Sequence, residues 1–141
     1  MAIAFGSPAW AEALRAEINR SSEYRNAAAK WGDGFNGNVL LVFEPDAALA
    51  KRRTLLVELS KGSCQGASFV DDPEDARAGF ALRGAFSVWK DILERRTMAA
   101  TAMLTGKLKV VGDKMMLLKH TAAHRSLIGC AAALDTEYPA A

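Results

Sequence analysis

The sequence predicts one α+β domain, with helices packed on a single mixed β-sheet. Three observations carry this. Apolar residues recur at helical spacing near both ends of the chain, an unbroken β-rich run opens its middle, and 141 residues, half of them hydrophobic, suffice for one core. We place the domain over residues 1–141, with N-terminal helices in 1–31 and the sheet plus its remaining helices in 35–134.

Ser7-Pro8 reads as a helix cap followed by the helical position that tolerates proline, and Trp10, Leu14 and Ile18 then repeat every four residues. Ser21-Ser22 restarts a second helix, expected to run to about Trp31. The glycines of Gly32-Asp33-Gly34-Phe35-Asn36-Gly37 end it.

Val39-Leu40-Leu41-Val42-Phe43 is unbroken and short, as expected of a strand covered on both faces, so it belongs at the centre of the sheet. Thr54 to Ser60 and a segment near Cys64 to Val70 follow as strands, joined tightly by Lys61-Gly62-Ser63 into a three-stranded antiparallel meander. Asp71-Asp72-Pro73-Glu74-Asp75 is a polar loop. Arg77 to Arg83 reads as a fourth strand, with Phe80 and Leu82 on one side.

Phe86, Trp89 and Leu93 fall opposite Lys90, Asp91 and Glu94, which makes an amphipathic helix. Met98, Ala102 and Met103 continue into a short helix that stops at Gly106. Lys107 to Val111 alternates like a half-buried strand, Gly112-Asp113 turns, and Lys114 to about Leu134 is mostly helical.

Composition narrows the function. With 18 Lys and Arg against 16 Asp and Glu, the formal charge is +2, too small a surplus for neutralising phosphates, and nucleic acid is not expected as a partner. Cys64 and Cys130 are isolated and read as reduced, packed thiols. Ser7-Pro8 interrupts the uncharged start, and the uncharged stretches fall short of the roughly 20 residues that cross a bilayer. We expect a soluble, cytoplasmic protein with no stable membrane insertion.

The chemical motifs are weak. Gly32-x-Gly34-x-x-Gly37 spells the dinucleotide pattern but has a helix before it and a strand after it, the reverse of what a pyrophosphate site needs. Gly106-Lys107 lacks the remaining residues of a P-loop. His120 and His124 are four apart, as metal ligands on one helix face would be, yet no third ligand or general base is nominated, and two partly exposed surface histidines are the simpler reading. Asp71, Asp72, Glu74 and Asp75 lack calcium-loop spacing, and Lys51-Arg52-Arg53 reads as a solvated basic triplet. Nothing groups a nucleophile with a base, so we expect neither an enzyme nor a cofactor.

What stands out is apolar. Met98, Met103, Met115 and Met116 join Phe86, Trp89, Ile92, Leu93 and Leu104 in segments broken by glycines, and methionine suits both ordinary cores and adaptable cavities.

The run Met103-Leu104-Thr105-Gly106-Lys107-Leu108-Lys109-Val110-Val111-Gly112-Asp113, followed by Met115-Met116-Leu117-Leu118, resembles the signature of the sterol carrier protein type two family of non-specific lipid-transfer domains. Upstream, Phe80-Ala81-Leu82-Arg83 with Phe86, Trp89 and Ile92-Leu93 resembles that family's strand and following helix. The resemblance spans about Val39 to Cys130. It implies a five-stranded mixed sheet covered by helices on one face, enclosing a hydrophobic tunnel for a fatty acid, acyl-CoA, sterol-like or other lipid. On that analogy the ligand is lined by Phe80, Leu82, Phe86, Trp89, Leu93, Met98, Met103, Leu104, Leu108, Val110, Met115, Met116, Leu127 and Ile128. A headgroup at the mouth would meet Lys51, Arg52 or Lys114.

Two departures qualify the resemblance. The chain ends in Tyr138-Pro139-Ala140-Ala141 in place of a peroxisomal address, and its Trp10 to Trp31 segment is similar to that of freestanding bacterial-type members. Burying about ten methylenes at about 0.8 kcal/mol each gives on the order of 8 kcal/mol before ordering costs, enough for carriage without catalysis. Two other function classes compete with a lipid carrier: a homodimerisation or partner-interaction module with a collapsed cavity, and an enzyme or accessory with metal at His120 and His124.

Overall fold

The computed structural model describes residues 2–71 and 78–139. Its centre is the apolar run, β2 (Val39–Glu44), in a five-stranded sheet of order β4-β3-β2-β5-β6. Beside β2 lie β3 (Arg53–Ser60), antiparallel, and β5 (Phe80–Ala85), parallel. β4 (Ser63–Val70) and β6 (Leu108–Val111) form the antiparallel edges, so the expected meander and central strand both stand. Lys61 and Gly62 adopt φ of 50° and 88° between the paired Ser60 and Ser63, the left-handed pair that a two-residue hairpin turn requires.

Alternation sorts each strand's side chains. Val39, Leu41 and Phe43 join Leu55, Val57 and Leu59 of β3, Phe80 and Leu82 of β5 and Leu108 of β6 in one core cluster. Helices cover that face. α1 (Pro8–Arg20) begins as the sequence predicts, with the Trp10 amide donating to Ser7 Oγ at 3.2 Å, and it buries Trp10, Ala11, Leu14 and Ile18. It lies on β4, where Trp10 meets Phe69 with 6.0 Å between ring centroids, and where the Asn19 side chain donates to Cys64 O and accepts from Cys64 N. Cys64 and Cys130 are free, buried thiols, and burial pushes the Cys64 thiol up to about 11.

α2 (Ser22–Ala27) ends well before the expected Trp31. The cause is tertiary: Trp31 Nε1 donates to Gly37 O at 2.8 Å, and its carbonyl accepts from Lys61 N at 2.6 Å, which ties residue 31 to the β3–β4 turn. Arg77, the expected start of the fourth strand, and Asp72, Glu74 and Asp75 of the acidic loop lie outside the described residues, as do Ala140 and Ala141. β5 begins at Phe80 and runs to Ala85, two residues beyond the expected Arg83, directly into α3 (Phe86–Leu93). Ala85 cannot cap α3 with its own side chain. Asp46, from the β2–β3 connection, accepts from the Ser87 amide at 2.7 Å instead, and that bond helps hold its carboxyl below the ordinary range.

α4 (Ala99–Leu104) leads into β6. The single C-terminal helix expected from Lys114 to about Leu134 is divided in two, α5 (Lys114–Lys119) and α6 (Thr121–Ala132), with His120 between them at φ −114° and ψ 35°. Two-residue strands β1 (Ile3–Ala4) and β7 (Thr136–Glu137) pair in parallel and tie the two ends of the fold together, where Trp10 Nε1 donates to Thr136 Oγ1 at 2.9 Å.

Candidate ligand-binding site

The residues expected to line a ligand divide into three groups. Phe80, Leu82, Phe86, Trp89, Leu93, Leu108 and Leu127 are buried in the core cluster. Trp89 anchors this group: its Nε1 donates to Val42 O at 3.0 Å, and its ring lies 5.1 Å from that of Phe43. Met103, Val110, Met116 and Ile128 are half-buried and pack against the cluster, one each from α4, β6, α5 and α6. Met98, Leu104 and Met115 stand in solvent, Leu104 at 89% exposure.

Two clefts among the described residues touch none of these side chains. One of about 130 Å³ lies between α3 and α4 and is lined by Val88, Asp91, Thr97, Thr101 and Lys107. The other, about 320 Å³, runs between the end of α1 and α6 past Glu17, Glu23, Arg95 and Arg125. Small-molecule sites are enclosed, mostly apolar and about 300–1,000 Å³, so the first is too small and the second too polar and open.

α5 is the least buried helix of the apolar flank. None of its residues is buried, yet four in a row, Met115-Met116-Leu117-Leu118, are apolar. Met116 and Leu117 turn inward against the core, while Met115 and Leu118 face out. Leu118 was not among the expected residues, although four consecutive apolar positions on a helix cannot all face inward. The helix is pinned at its start by Asp113, whose Oδ1 accepts from Met115 N at 3.0 Å and Met116 N at 3.2 Å. Gly106 and Gly112, at φ of 78° and 124°, flank β6 with turns that side-chain-bearing residues adopt poorly.

At the other end of α5 the two histidines, expected as partly exposed surface residues, are half-buried and share a ring partner. His120 and His124 both set their rings against Trp31, with 5.3 and 4.6 Å between centroids. Nε2 of His124 is shut off from solvent and has no hydrogen-bond partner among the described residues. Burial, with a smaller contribution from His120, pushes its pKa down to about 4. Among the described residues no group of three His, Cys, Asp or Glu converges to hold a metal. Of the three cations nominated for a headgroup, Arg52 is engaged by Glu44 at 2.8 Å, while Lys51 and Lys114 are exposed.

Residues 13–124 match the SCP-2 sterol transfer family. The chain belongs to that family. A crystal structure of sterol carrier protein 2 superposes on it with a TM-score of 0.81 and 28% identity, covering 92% of this chain and 98% of that one. A solution structure of a conserved protein from Thermus thermophilus does so with a TM-score of 0.81 and 26% identity, covering 94% of this chain and 91% of that one. The apo form of sterol carrier protein 2 from Yarrowia lipolytica shares the fold at a TM-score of 0.59 and 18% identity, covering 86% of this chain and 88% of that one. No curated protein matches the chain in sequence. The SCP-2 match takes in α3, α4, β6 and α5 whole, so the apolar flank is part of the family's domain and not an appendage to it.

Proposed function

We propose that this SCP-2 domain binds and carries a hydrophobic small molecule of the fatty acid, acyl-CoA or sterol-like class, and that it does so without catalysis. One observation supports this most directly: Met103, Val110, Met116 and Ile128, from four different elements, close the core without being sealed into it. A guest chain enters when α5 swings off α6 and β6, so that Met116 and Leu117 exchange contact with the core for contact with the ligand. Phe80, Leu82, Phe86, Trp89, Leu93, Leu108 and Leu127 form the floor of the opened space, and Met98, Leu104 and Met115 its rim. Flexible methionines accommodate chains of several shapes at small cost.

The test is uptake by delipidated protein in vesicle-free solution. A fluorescent fatty acid or acyl-CoA is expected to bind at micromolar concentration and quench Trp89, and native mass spectrometry of the protein as purified is expected to show a retained lipid. Absence of both would overturn the carrier reading.

A further inference from the structure

Among the described residues two buried side-chain polar atoms lack a hydrogen-bond partner, Arg83 Nε and His124 Nε2. Arg83 follows the core-facing Leu82 on β5, so its side chain leaves on the bare face of the sheet. His124 stands on α6, whose Ala123 and Leu127 belong to the core cluster, and it is the orphan on the face that the helices cover. A buried polar atom left unpaired is costly, and one that a fold retains calls for a partner from outside the chain.

Two routes tie this imidazole to the apolar flank. Leu127 and Ile128 follow His124 by three and four residues, which sets all three on one side of α6. Its ring partner Trp31 also meets Phe80 of β5, with 4.9 Å between centroids. His120, which separates α5 from α6, packs on the same indole.

The chemistry of the ring selects the partner. Burial, and to a smaller extent His120, disfavours the imidazolium, so at neutral pH the ring is uncharged. A neutral imidazole has one nitrogen that donates and one that accepts, and a hydroxyl completes either role. A carboxylate or phosphate would carry a full charge out of water into apolar surroundings, at far greater cost.

We propose that His124 receives the hydroxyl end of a long-chain monohydroxylated lipid, which enters polar end first and lays its chain along Leu127, Ile128 and Met116. This rests on the carrier reading and narrows its guest to one with an uncharged, hydrogen-bonding terminus. The swing of α5 that admits the chain also uncovers the imidazole, because His120 is shared between the two.

The experiment is displacement of a fluorescent fatty acid from delipidated protein by two probes of equal length, 1-dodecanol and 1-fluorododecane. Their affinity ratio is compared between wild type and variants, which cancels the difference in their hydration. His124→Phe keeps an aromatic ring against Trp31 and should lower the ratio of alcohol to fluoroalkane affinity about tenfold, while His124→Gln, whose amide restores a donor and an acceptor, should recover much of it. In the wild type, the imidazole nitrogen resonances of His124 should move on adding dodecanol and stay in place with fluorododecane. Thermal melts establish that each variant is folded, and the resonance measurement needs no variant. A ratio unchanged in folded His124→Phe, or resonances that ignore dodecanol while it binds, would overturn the assignment and leave the carrier intact. A loss on His124→Phe confined to dodecanoate would overturn the hydroxyl class. Failure of the fluorescent fatty acid and both probes to bind would remove the carrier reading and this site together.

Discussion

The indole of Trp31 and the imidazole of His124 stand edge to face, at 84° and 4.6 Å between centroids, and this contact joins the helix–strand loop to the start of α6. It shields His124 from water and so disfavours the imidazolium. The unfolded chain would titrate near 6.5 and the folded one near 4, so between those values the unfolded state holds more protons. Stability from this group is full above pH 6.5, declines as pH falls toward 4, and is lost below it, by roughly 3 kcal/mol. Urea unfolding at several pH values should show that slope, and His124→Phe should flatten it.

Trp89 ties α3 to the central strand through its bond to Val42 O. Trp89→Phe keeps a ring in place but leaves that carbonyl short of a partner, and should cost about 1–2 kcal/mol. Trp89→Ala should cost about 3–5 kcal/mol through the cavity it opens. Equilibrium denaturation measures both, and a Trp89→Phe variant as stable as the wild type would remove the hydrogen bond from the account.

Asp113 is the cap of a helix that buries nothing else firmly. Asp113→Ala should cost about 1 kcal/mol, felt chiefly as easier opening of α5. Amide exchange at Met115 to Lys119 should accelerate well beyond that in α1, and lipid uptake should become faster. A uniform loss of protection across the fold would count against α5 as a separate moving wall.

Gly84 lies opposite Leu108 at the β5–β6 seam, where an added methyl would stand 2.5 Å from Leu108 Cδ2 and 2.9 Å from Lys107 O. The leucine tip can rotate, but the backbone oxygen cannot move without parting the strands. Gly84→Ala should therefore destabilise by about 1–3 kcal/mol and loosen β6 first, as read by hydrogen exchange.

Much of this protein was settled locally. The Ser7-Pro8 start of α1, the centrality of Val39–Phe43, the left-handed turn at Lys61-Gly62 and the family segment from Gly106 to Asp113 depend on residues within a few positions of one another, where spacing and turn chemistry act directly. Tertiary structure decided the rest: the early end of α2, the break at His120, the pairing of Ile3 with Thr136, and the capping of α3 by Asp46 from 41 residues away. It also decided which of the methionines and leucines after Met98 face the core. A run of four consecutive apolar residues carries no periodic signal for its inner face, so only the surface it lands on can choose Met116 over Met115.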